Sequence, residues 1–495
     1  MLNSKEALED LSSMIGVEKK IILKKISEYD EIFKNDKYYQ EFIEAVMCNL
    51  GIDNRCQVLL SVAKYRLKKK NQTNQVVYIL ANCEYQIAIL KNRSMELIDI
   101  KEYRDAVRSF LEVKSDNSTL INYALTNAGN ILNKLGRNYE AILLHDKVIA
   151  KNPSFGIALG NKALELKKYQ SLALHPQDHL KLLDLAKDLL LKALNDPRLE
   201  DIGGEGTKEK FIKEIEEIET ELKKENYNQI KKTSTNIDLL SHYQKFSLEY
   251  NLYLNYDFGI FYDDDSLVDS LFPIFTEPLK EKDSPNGMMS KRVYFSFQIW
   301  NQIIEIYVSS RYSLFNALNN EYKIYDDNVN FVHTYDSFQH NHQFGLLKST
   351  FCNVYNCLDK IARLVSYYFS EEEKIYDDDI YFDYLTKDEF KKVIENTENK
   401  QLQALYSLSL DFKDNGYLYN LQWIRNKITH SYLNVIDNNT TPTNKDQILL
   451  KDLIKCTFEI FQIVKSALLY FEIAVRKCLP NENTFQMFVQ KQKDI

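Results

Sequence analysis

The sequence predicts an all-α protein in two parts, a run of short stacked helices followed by a bundle of longer ones. Three observations carry that expectation. Only 13 Gly and 8 Pro occur in 495 residues, too few for the many tight turns of a β-sandwich or barrel. Long stretches rich in Leu, Ile, Lys, Glu and Asn run without a breaker, a composition that favours helix. Apolar residues recur at steps of three and four, most regularly in the second half. The chain is too long for one ordinary core, so at least two domains are expected. Their expected limits are 1–230, a connector over 231–285, and 286–495.

Composition narrows the function classes. A hydrophobic fraction of 44% suits a folded globular chain, and a formal net charge of −8 excludes a protein that coats nucleic acid by charge alone. Any RNA contact must be local. Seven Cys at 48, 56, 83, 352, 357, 456 and 478 form no C-x-x-C pair and leave an odd number, which argues against a disulfide framework and a zinc ribbon. A reducing cytoplasm is the expected compartment. The amino terminus lacks an uninterrupted apolar segment, and the most apolar stretch, Phe458 to Val475, is broken by Glu459, Gln462, Lys465 and Glu472, so no membrane association is expected.

In the first part, Asn122 to Pro153 reads NYALTNAGNILNKLGRNYEAILLHDKVIAKNP. Gly129 lets the first helix approach its neighbour, Gly136 and Arg137 make the turn, Tyr139, Ala141 and Ile142 open a second helix, and Pro153 ends it. This resembles a tetratricopeptide (TPR) helix hairpin. The segment from Gly156 repeats the spacing with Ala163 in the place of Gly129, and Tyr103 to Val113 resembles the second helix of a preceding repeat. One hairpin cannot bury its own apolar faces, so its neighbours must stack into a solenoid over about residues 30–225. The resemblance implies a concave surface that takes a peptide or protein activator. The lysine runs Lys68 to Lys70 and Lys231 to Lys232 read as solvated faces.

A polar stretch, Lys223 to Asn236, marks the expected boundary, with few contacts crossing it. The connector that follows carries Asp263 to Asp265, Pro273, Pro278 and Pro285, and Asp377 to Asp379 form a similar run later. Consecutive Asp side chains diverge, so both read as solvated turns rather than metal sites. His340 and His342 lack a third ligand at a recognisable spacing and read as a loop. No metal and no cofactor is expected.

The second part shows four long helical segments, as a bundle requires. Val293, Phe297, Trp300, Ile304, Tyr307 and Leu314 recur along the first; Leu347, Phe351, Val354, Leu358, Ile361 and Val365 form the seam of the second. Asp359 and Arg363, four apart, are expected to pair on its outer side. Cys352 and Cys357 read as packing residues. Tyr417 to Val435 forms the third, and Leu449 to Val475, apolar on almost every side, is central. On the third, Leu418, Leu421, Ile424, Ile428, Tyr432 and Val435 make the core side; Trp423, Asn426, His430 and Leu433 fall opposite, with Arg425 at the flank and Lys427 on another side. A Trp and a Leu off the core call for a second interface, most simply a two-fold copy of the same helix.

The run WIRNKITH, with Arg425, Asn426 and His430 spaced R-N-x-x-x-H, resembles the signature of HEPN domains, and the likeness extends over about Phe246 to Cys478, including LDKIA at Leu358 to Ala362. The resemblance implies a HEPN-type four-helix bundle behind the TPR-like repeats, a homodimer or higher assembly, and a metal-independent endoribonuclease leaving 2′,3′-cyclic phosphate and 5′-hydroxyl ends. Chains of this kind commonly serve antiphage defence or toxin-like responses. It also implies site roles. His430 would move the proton of a ribose 2′-hydroxyl or of the leaving 5′-oxygen, Arg425 would face the phosphate charge, and Asn426 would orient the imidazole or the phosphate. Trp423, Lys427 and Leu433 would line the dimer and substrate cleft. The competing expectation is a catalytically silent adaptor whose repeats bind protein partners.

Overall fold

The computed structural model describes residues 3–91, 100–114, 118–170, 176–224, 237–255, 267–275, 291–319, 342–369, 380–397, 399–413, 416–436, 438–439 and 441–477. These are almost wholly helical, as the breaker-poor composition requires. Four helices open the chain: α1 (Ser4–Ser12), α2 (Lys19–Ile32), α3 (Lys37–Asp53) and α4 (Gln57–Leu67). Asn3 and Glu6 exchange side-chain and backbone hydrogen bonds across the first turn of α1, satisfying two donors the helix cannot. Ile22, Tyr39, Met47 and Leu60 form a core of their own here.

Three hairpins follow, α5 (Asn74–Lys91) with α6 (Ile100–Leu111), α7 (Ser118–Lys134) with α8 (Asn138–Lys151), and α9 (Gly156–Gln170) with α10 (Pro176–Leu194). The short α11 (Leu199–Gly203) and α12 (Thr207–Lys224) close the stack. The TPR-like reading of this region holds at its two glycines. A Cβ on Gly129 would sit 2.7 Å from the His145 ring, and Gly136 turns at a φ of +79° that a side chain would strain. Of the lysine run, Lys68 and Lys69 are exposed as expected, while Lys70 pairs with the buried Glu44 and Lys68 lies 3.9 Å from Glu84. Lys231 and Lys232 lie outside the described residues, as do Asp263 to Asp265, Asp377 to Asp379 and His340.

The second part comprises α13 (His242–Glu249), α14 (Lys291–Leu318), α15 (His342–Phe369), α16 (Asp388–Thr397), α17 (Lys400–Asp411), α18 (Tyr419–His430), the strands β1 (Asn434–Ile436) and β2 (Gln447–Leu449), and α19 (Leu450–Arg476). His342 therefore opens a helix rather than sitting in a loop. The antiparallel pair α14 and α15 packs on α19, which buries almost its whole length.

Two expectations are corrected. The third bundle helix ends at His430, five residues before Val435, because the β-branched run that follows pairs Val435 with Ile448 in a short parallel ladder. The expectation of few contacts between repeats and bundle also fails. Tyr139 and Ile142 of α8 share one continuous core with Trp300, Leu358, Ile424 and Phe471. Across the same seam runs a buried ionic cluster. Arg137, fully buried, reaches Glu140, Asp411 and the Tyr417 hydroxyl; Arg104 binds Asp411 at 2.5 Å; the Tyr470 hydroxyl donates to Glu140 at 3.1 Å. Burial opposes the charge on Arg137, but Glu140, Tyr417 and Asp411 outweigh it and hold the guanidinium ionised.

Candidate functional site

The site is built where α18 lies against α15. Cys352, Tyr355 and Asp359 follow one another at steps of three and four, so α15 offers them on one face. On α18 the side chain of Arg425 is 18% exposed and lies over that face, its guanidinium 5.8 Å from the Tyr355 ring centre and Nη2 3.9 Å from an Asp359 oxygen. Asp359 is fixed in turn by accepting the Phe382 backbone N–H at 2.8 Å. Burial raises the Asp359 carboxyl above the usual range, while the Phe382 amide and Arg425 pull it back down. Asp359 thus serves Arg425, and Arg363, the partner expected from spacing, contributes to it through its charge.

The other end of Arg425 meets Asn426 and His430. Nη1 donates to Asn426 Oδ1 at 3.2 Å and lies 3.2 Å from His430 Nε2. A guanidinium has donors only, so in any hydrogen bond across this contact Nε2 is the acceptor. Asn426 and His430 are exposed, whereas Arg425 Nε is buried without a partner among the described residues. The arrangement is a fixed planar cation, held from beneath by an acid and an aromatic ring, with a solvent-facing imidazole and amide at its edge. It can grip an oxyanion and move a proton beside it.

The remaining sequence-predicted residues are placed less simply. Trp423 is half-buried against the chain's own core, with the Lys427 ammonium 5.9 Å from its ring centre. Lys427 is held by Asp446, which also accepts from the Tyr432 hydroxyl at 3.3 Å. Leu433 lies beyond the end of α18 and is 3% exposed within the bundle core, so it does not share the face of Trp423, Asn426 and His430. The helical wheel misplaced it because it assumed one unbroken helix to Val435. Cys352 sits 3.8 Å from the Thr429 hydroxyl, and burial pushes its thiol up, away from the reactive thiolate.

Sequence reasoning missed Tyr355, Asp359 as the support of Arg425, and Asp446. A step of seven between Cys352 and Asp359 on an otherwise apolar seam was the available signal for the first two. Nothing local marked Asp446, which the loop between β1 and β2 brings back. Among the described residues no group of three or more His, Cys, Asp or Glu could hold a metal ion, and no helix is long and apolar enough to cross a membrane.

Compared with known proteins, the chain matches no curated protein and no solved structure. The family described as LA2681-like HEPN matches residues 289–477. That interval runs from α14 to α19 and contains the Arg425 to His430 segment, while the TPR-like helices precede it. HEPN domains act, at the level of the family, as nucleases or in other RNA-related roles. The bundle of α14 to α19 is therefore a HEPN domain of the LA2681-like kind.

Proposed function

We propose that the protein is a metal-independent endoribonuclease whose site is Arg425, Asn426 and His430, regulated by the TPR-like region and working in antiphage defence or a toxin-like response. The observation that carries this reading is the 3.2 Å approach of Arg425 Nη1 to Nε2 of the exposed His430 on a HEPN bundle. Imidazole changes charge nearest neutrality, so His430 can accept the proton of a ribose 2′-hydroxyl as its oxygen attacks the adjacent phosphorus. The 5′-oxygen leaves as the new P–O bond forms, and it needs a proton. A second His430, from a two-fold related copy, supplies that proton in its imidazolium form. Arg425 faces the charge that builds on the non-bridging oxygens, and Asn426 holds the guanidinium or the phosphate. The products are a 2′,3′-cyclic phosphate and a 5′-hydroxyl, and DNA, lacking the attacking hydroxyl, is spared.

The exposed faces of Asn426 and His430, with the uncovered part of Trp423, are the surface on which such a copy would dock. Growth of cells expressing the wild type against a His430→Ala variant tests the reading. The intact protein slows growth and the variant does not; equal growth at equal expression counts against a self-directed RNase and favours the silent adaptor.

A further inference from the structure

The face of α15 that supports Arg425 continues one turn toward the amino end of that helix, to Lys348. Lys348, Cys352, Tyr355 and Asp359 follow at steps of four, three and four, within about 60° of one another around the axis. Asp359 lies against Arg425 and Cys352 against Thr429, so α15 and α18 run antiparallel here. Lys348 therefore falls beyond Thr429, toward the end of α18 where His430 stands. Four residues at about 1.5 Å each set it about 6 Å from Cys352 along the axis. We propose that Lys348 is a substrate-binding residue of this site, taking the backbone phosphate next to the one that reacts. The inference rests on the reading of Arg425, Asn426 and His430 as an RNA-cleaving site, and it adds the residue that holds the strand beside them.

Three observations select a phosphate for Lys348. First, it is half-buried, yet it makes no hydrogen bond or ion pair among the described residues. The cations around it are already engaged: Arg425 faces Asp359, Lys427 is held by Asp446, and Lys360 donates to Gln302 Oε1 at 3.1 Å. Burial pulls the Lys348 ammonium below its ordinary pKa, and no described carboxylate offsets that effect. A lysine is seldom withdrawn from water unless an anion faces it, so this position gains from an anionic ligand.

Second, α18 ends at His430, so the last carbonyls of that helix make the negative end of its dipole there. A phosphate that approaches His430 is repelled by that end, and a cation beside it offsets the repulsion. Third, the way between the two cations is open and polar. Asn426, Thr429 and His430 are exposed, and the Thr429 hydroxyl lies 3.8 Å from Cys352 Sγ. A single strand that presents one phosphate to Arg425 and His430 can run over Thr429 and bring the neighbouring phosphate to Lys348. An ammonium is a point charge that accepts a phosphate in many orientations and reads no base, so the contact holds the strand without choosing its sequence.

The test uses the full-length protein and a single-stranded oligonucleotide with 2′-fluoro sugars throughout, which lacks the attacking hydroxyl and cannot be cut. Wild type, Lys348→Met and Lys348→Arg are titrated by fluorescence anisotropy over a salt series, each first checked for an unchanged helical spectrum and melting curve. The proposal expects about a tenfold loss of affinity in Lys348→Met and recovery in Lys348→Arg, since a charged hydrogen bond is worth roughly that factor. The slope of log affinity against log salt should be shallower by about 0.7 in Lys348→Met, the share of one phosphate of a single strand. Methylphosphonate linkages, each removing one charge, then locate the contact. One such linkage should weaken the wild type and leave Lys348→Met unchanged, and it should neighbour the linkage cut in ordinary RNA of the same sequence. An oligonucleotide that the wild type does not bind, equal salt slopes, or methylphosphonate losses that match in both proteins at every linkage overturn the proposal. With cleavable RNA, Lys348→Met should raise KM and leave kcat near that of the wild type; a fall in kcat at unchanged KM overturns it too. A wild type that binds with this dependence on Lys348 but cuts no RNA counts against the nuclease reading and leaves the phosphate contact standing.

Discussion

Arg137→Met removes the charge at the centre of the seam between repeats and bundle while nearly preserving length. In the wild type two cations, Arg104 and Arg137, meet two anions, Glu140 and Asp411, so the buried cluster is neutral. The substitution leaves one net negative charge where Asp411 is 1% exposed and Glu140 5%. Glu140 keeps only the hydroxyls of Tyr417 and Tyr470, at 3.0 and 3.1 Å, and Asp411 keeps Arg104. Breaking a buried pair from one side costs about 3–5 kcal/mol; the surviving hydroxyl and Arg104 contacts put the expected loss toward the lower end, about 3 kcal/mol. Urea unfolding followed by circular dichroism gives the change in midpoint. Adding Asp411→Asn restores a neutral cluster, Arg104 against Glu140, so the double variant should lose clearly less than the sum of the two singles. Tyr417 stands two residues before α18, so RNA cleavage should fall with Arg137→Met as well. A loss under about 1 kcal/mol, or strictly additive singles, would refute the view that this cluster holds the two parts together.

Three further outcomes rest on the same packing. His145 is fully buried with neither ring nitrogen bonded among the described residues, and desolvation, aided by Lys162, holds its pKa down to about 3. A depressed folded pKa gives stability that is present above the unfolded value of about 6.5 and is lost as pH falls, about 2 kcal/mol between pH 7 and pH 5; a His145→Leu protein whose urea midpoint shows the same slope would exclude His145 as its source. Gly129→Ala forces a methyl into the His145 ring at 2.7 Å and should cost about 1–3 kcal/mol by calorimetry, a cost that His145→Ala beside it should largely relieve. Trp423→Glu, placed on the face proposed for the two-fold contact, should shift light scattering toward monomer and lower cleavage in step; a folded, monomeric and fully active variant would remove that face from the catalytic interface.

The fold class was legible because helix formation is local: breaker-poor stretches with steps of three and four became α14, α15 and α19 with little change. Gly129 and Gly136 announced the α7–α8 turn for the same reason. The seam was not legible. Arg104, Arg137 and Asp411 are hundreds of positions apart or carry no pattern, and a polar run at the boundary says nothing about what the helices before it touch. At the candidate site, the adjacency of Arg425, Asn426 and His430 followed from their spacing on one short helix, whereas the register of Leu433 failed because the Val435–Ile436 segment after His430 competes with the helix only when β2 is there to pair.

The most direct test of the account is incubation of the purified full-length protein with a defined RNA in the presence of a chelator, alongside His430→Ala. The account predicts cleavage by the wild type that survives chelation and leaves 2′,3′-cyclic phosphate and 5′-hydroxyl ends, and none by the variant. Cleavage abolished by chelation, products with 3′-hydroxyl ends, or an equally active His430→Ala protein would contradict it.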